Sequence, residues 1–120
     1  MTDSRLIGTW RSDGRRTLQE IAARRDIPAT QRRKLARFFG KLELRYTRTK
    51  CYARMETHAS ASGYLVLAKD ASSVAILSSN SFAGEQIHHI HFEGPYYWIL
   101  LGSGKVREFF RRVKPKTRTK

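Results

Sequence analysis

The chain has 120 residues, 40% of them apolar and 11% aromatic, enough for one domain with its own core. A single cysteine, Cys51, excludes an internal disulfide, and no apolar run reaches the roughly 18 residues of a membrane helix. The net charge of +14 suits a partner rich in phosphate, yet residues 11–50 hold thirteen Lys/Arg against four acids, residues 51–104 two against four, and the last sixteen eight against one.

In chain order, Leu6 to Arg11 (LIGTWR) reads as a short strand with Leu6, Gly8 and Trp10 on one face. Thr17-Leu-Gln-Glu20 has the form of a capping box, and Leu18, Ile21 and Ala22 follow at helical spacing. Ile27-Pro28 interrupts that helix, because the residue before proline avoids the helical region. Thr30 caps a second short helix with Leu35, Phe38 and Phe39 on its apolar side, and Gly40 suits the position just past its end.

From Lys41 the period changes to two. Leu42, Leu44 and Tyr46 alternate with Glu43, Arg45 and Thr47, and Cys51, Ala53 and Met55 with Tyr52, Arg54 and Glu56. The small polar stretch HASASG reads as a turn. Further strands are expected at YLVLA (64–68), SVAILSS (73–79), QIHHIHF (86–92), YYWILL (96–101) and KVREFFRRV (105–113). Eight strands joined mostly by short links predict a mainly β fold, an antiparallel up-and-down barrel with two short helices between strands 1 and 2. Residues 1–113 form its single domain, and 114–120 a basic flexible tail. The N-terminus lacks the basic-then-apolar layout of a signal peptide, so a soluble, cytoplasmic protein is expected.

Gly8-Thr9-Trp10 resembles the Gly-x-Trp signature that opens the first strand of lipocalins and their calycin relatives. Arg107 to Val113 (REFFRRV) looks like the last strand of bacterial lipocalin-like domains. The resemblance implies an arginine of that strand packed over Trp10 at the closed end, Arg112 for preference or Arg111, a stack worth about 0.5–2 kcal/mol. The helix pair after strand 1 is similar to that of fatty-acid-binding proteins, which implies a lid over the open mouth. Their Arg-x-Tyr carboxylate site has only Arg107-x-Phe109 and Arg111-x-Val113 as counterparts, a departure that speaks against a fatty-acid head-group site.

Three histidines crowd into QIHHIHFE. On a strand His89 and His91 share one face, and His88 lies with Ile90 and Phe92 on the other. A His-x-His pair begins a metal site, but no third ligand of suitable spacing follows, so neither metal nor cofactor is expected. No nucleophile elbow, phosphate loop or carboxylate pair stands out, and no catalytic residue is assigned. The leading expectation is non-enzymatic binding of a small, largely apolar ligand, with Tyr46, Tyr64, His89, His91 and Trp98 as the lining. The alternative is a basic module that holds nucleic acid or an anionic surface through Arg24, Arg25, Arg32, Arg33, Lys34, Arg37 and the tail.

Overall fold

A computed structural model describes residues 2–24, 26–35, 37, 39–80, 84–101 and 106–114. The strands are β1 (Gly8–Ser12), β2 (Leu42–Tyr46), β3 (Lys50–Met55), β4 (His58–Lys69), β5 (Ser73–Asn80), β6 (Gly84–Glu93), β7 (Tyr96–Leu101) and β8 (Val106–Val113). Each pairs antiparallel with the next, and β8 closes onto β1, giving an up-and-down eight-stranded barrel. Two helices, α1 (Gly14–Ala22) and α2 (Ala29–Leu35), lie between β1 and β2.

The barrel has two unlike ends. At the first, the chain start meets the β2–β3, β4–β5 and β6–β7 turns. Leu6, Trp10, Tyr64 and Val74 are buried there, and the Trp10 indole N–H donates to the Leu6 carbonyl at 2.9 Å. Arg5 ties this end together. It donates to the buried Asp3 carboxylate, the nearest contact at 2.6 Å, and reaches the Ala71 and Asp70 carbonyls at 2.9 Å. Its guanidinium also lies 4.7 Å from the centre of the Phe92 ring. The second end carries the β3–β4 turn, the ends of β5 and β7 and the starts of β6 and β8.

Two expectations about the chain's course are corrected. HASASG is not a turn but the first half of β4, paired from Met55↔His58 to Lys50↔Gly63 along the whole of β3. The reversal instead takes two residues, Glu56 and Thr57, with Glu56 at φ +56°. Ladder pairing with β3 overrides the weak strand preference of alanine, serine and glycine. The helix start also differs. Asp13, not Thr17, caps α1 and accepts from the Arg16 amide at 2.9 Å.

Thr17 is buried inside α1, where its hydroxyl accepts the Phe109 amide of β8 at 3.0 Å. The Phe109 carbonyl accepts from the Asp13 amide at 2.8 Å. The start of α1 thus satisfies the backbone of Phe109 just beyond the last β1–β8 pair, Ser12↔Phe110. Phe109 faces outward and is fully buried, with the Arg16 guanidinium 4.3 Å from its ring centre. The Arg107 guanidinium pairs with Glu20. α1 therefore packs on the outer wall over β8, and the lid expected over the mouth is not formed by it. Leu18, Ile21 and Ala22 of α1 share a groove with Ala29, Arg32 and Arg33 of α2, so α2 rests on α1.

Candidate functional site

The small residues of β4 shape the interior. Ser60 and Ser62 face inward opposite Ala53 and Cys51 of β3, and the space these small side chains leave is part of a cavity of about 350 Å³. Its apolar wall comes from Leu42, Leu44, Ala53, Ile76, Ile90 and Ile99, and its aromatic floor from Tyr46, Tyr97 and Phe110. The polar groups reaching it are Ser60, Ser62, Ser78, Gln86, His88 and Glu108. Among the described residues, none of either helix contributes.

The floor is rigid by construction. Trp10 and Tyr97 ring centres lie 4.7 Å apart, and Tyr97 stacks on Phe110 at 4.8 Å. The Tyr46 and Tyr97 hydroxyls share a hydrogen bond of 3.2 Å. Burial pushes both phenols well above their ordinary pKa and the Cys51 thiol up to about 11, so all three stay neutral at physiological pH. Beneath them the Arg112 guanidinium lies 4.3 Å from the Trp10 ring centre and donates to the Ile7 carbonyl at 2.9 Å and to the Arg5 carbonyl. Gly8, at φ +134°, makes this possible, because an added Cβ would lie 2.6 Å from an Arg112 nitrogen.

One wall is incomplete. The β6–β7 ladder runs only from His91↔Trp98 to Glu93↔Tyr96, although β6 begins at Gly84 and β7 continues to Leu101. The cavity reaches this seam, with Gln86, His88 and Ile90 on one lip and Ile99 on the other.

The sequence-derived lining residues divide. Tyr46 lines the cavity; Tyr64 is buried beside it, edge-on at 5.6 Å, but does not. His89, His91 and Trp98 belong to the outer face and do not line the interior. His91 lies 4.0 Å from His89 and stacks on Trp98 at 4.0 Å, and the His89 Nε2 is 3.0 Å from the Ser73 hydroxyl. Ile90, at 1% exposure, fixes that strand's inner face, so His88 is the histidine at the cavity. Burial lowers its pKa, keeping the ring neutral at pH 7. Glu108, Ser12 and the β4 serines were missed because strand parity alone leaves inside and outside undecided.

Of the basic residues, Arg24 pairs with Asp26 at 2.9 Å, and Arg32 reaches the Ala22 carbonyl at 3.4 Å. Arg33, Lys34 and Arg37 are exposed. Arg25, Phe38 and tail residues 115–120 lie outside the described residues. Among the described residues no three His, Cys, Asp or Glu side chains are grouped to hold a metal, and no helix is long and apolar enough to cross a membrane.

Fold and cavity together define a closed antiparallel β-barrel with an interior pocket open towards one end. Comparison with protein-family models, curated proteins and solved structures finds no match.

Proposed function

We propose that the chain is a lipocalin-like, calycin-type barrel that binds a small, largely apolar ligand in its interior and performs no chemistry on it. The observation that carries this reading is the cavity itself: about 350 Å³, walled by aliphatic and aromatic side chains, with a few convergent polar groups. That volume lies at the small end of the usual range for ligand pockets, about 300–1,000 Å³. The Gly8–Trp10–Arg112 arrangement at the opposite end supports the calycin relationship. The β6–β7 seam gives the ligand a path that needs no helix to move. One cysteine and no disulfide suit a reducing, cytoplasmic setting.

The test is titration with an uncharged environment-sensitive dye, N-phenyl-1-naphthylamine, against wild type and Ala53→Phe, whose larger ring would fill the cavity. Saturable enhancement that is indifferent to salt and lost in the variant is expected. Enhancement that survives Ala53→Phe, or none in the wild type, sinks the reading.

A second reading rests on α2, which carries Arg32, Arg33 and Lys34 and no acid in its first turn. It holds that this face and the tail engage nucleic acid or another anionic surface. Binding to duplex DNA would then fall with salt, at roughly the 0.9 power per phosphate neutralised.

A further inference from the structure

Glu108 stands apart from the other described acids. It projects from β8 into the cavity wall, is 8% exposed, and is the only Asp, Glu, Lys or Arg among the described lining residues. The Ser12 hydroxyl donates to one carboxylate oxygen at 2.8 Å, and that hydroxyl in turn accepts from the Gly40 amide at 3.0 Å. Ser12 therefore has its single proton committed to Glu108. A carboxylate offers about four acceptor sites, and among the described residues Ser12 fills one of them as a neutral donor. Among the described residues no Lys, Arg or His forms an ion pair with Glu108, in a chain with 24 Lys/Arg against ten acids. A buried carboxylate without a cation is costly, and a ligand cation is one way to offset that cost.

We infer that the cavity selects an organic amine, with the ligand ammonium on Glu108 and its apolar body against Leu44, Ile76 and Ile99. This rests on the cavity-binding reading and names its ligand class. The other titratable groups facing the space do not oppose a cation at neutral pH. His88 is kept neutral by burial, as are Tyr46, Tyr97 and Cys51. The interior thus prefers the charge opposite to the one the cationic exterior attracts. Carboxylates and phosphates drawn to the surface meet a like charge inside.

Three probes of equal chain length test this at pH 7.5: octylammonium, octanol and octanoate, followed by amide chemical shifts in the wild type and E108Q. Octanol can also donate to the carboxylate, but only the ammonium brings the opposite charge, so octylammonium should bind about tenfold or more tighter than octanol, and octanoate weakest. E108Q should bring octylammonium to within about threefold of octanol, and amide shifts outside the cavity that match the wild type show that the variant is folded. If octanol binds and octylammonium gains nothing, or if the gain survives E108Q, the amine inference is overturned and the cavity reading stands. If none of the three shifts the cavity amides, both fall together.

Discussion

Gly8 holds two constraints at once. Its φ of +134° is one that L side chains rarely adopt, and the place a Cβ would take is filled by the Arg112 guanidinium. Arg112 has no easy retreat, since it is bound to the Ile7 and Arg5 carbonyls and lies over Trp10. Gly8→Ala should therefore cost about 1–3 kcal/mol in urea unfolding. In an Arg112→Ala background the same change should cost less, leaving only the backbone strain. Equal costs in both backgrounds would show that the close approach contributes nothing. Glu108 makes the opposite prediction. Burial raises its pKa above the ordinary 4.5, so the protonated acid suits the fold better than the carboxylate. Its contribution is fully favourable below the unfolded pKa and is lost as pH rises through the raised folded value. E108Q should then be more stable than wild type at pH 7, the difference shrinking towards pH 4. The slope owed to Asp3 runs the other way, because its pKa is lowered by Arg5. It is common to both proteins and cancels in the comparison. A difference that grows on acidification would contradict this.

Among the elements, α1 shows which kind of contact holds a helix to a barrel. Ile21 and Thr17 are buried, and Thr17 accepts the Phe109 amide, whereas the Arg107–Glu20 pair is about a third exposed. Removing the Thr17 hydroxyl orphans a buried strand amide, at about 1–3 kcal/mol, while a partly exposed ion pair returns about 0–1 kcal/mol. Thr17→Val should accordingly destabilise more than Glu20→Gln by thermal melting, and the reverse order would mean that the ion pair anchors the helix. Much at this scale was legible in advance. The alternation of Leu42, Leu44 and Tyr46, and the punctuation by Lys69-Asp70 and Gly94-Pro95, are local signals of strands and turns, and eight strands with short links leave few topologies. HASASG was not legible, because small polar residues belong to turns unless a partner strand claims them. Which histidine faces inward was legible only in part. Ile90 and Phe92 already marked the apolar face that carries His88, while His89 and His91 drew attention by their spacing. The position of α1 depends on the outward burial of Phe109, a tertiary contact that neither period nor capping pattern encodes.

At the scale of the whole molecule, the balance of charge sets a last expectation. With 24 Lys/Arg against ten acids, the folded surface gathers cations that the unfolded chain would hold farther apart. The ion pairs are largely at the surface, Lys41–Glu56 and Arg54–Glu43 among them, and each contributes little. Salt weakens both the repulsion and the pairs, and the excess of cations decides which loss matters more. The screening length shortens from about 30 Å at 0.01 M to about 10 Å at 0.1 M, enough to separate cations on different faces of the barrel. The melting temperature should therefore rise by a few degrees, corresponding to about 1 kcal/mol, between 10 and 200 mM sodium chloride. A fall would mean that the ion pairs outweigh the repulsion.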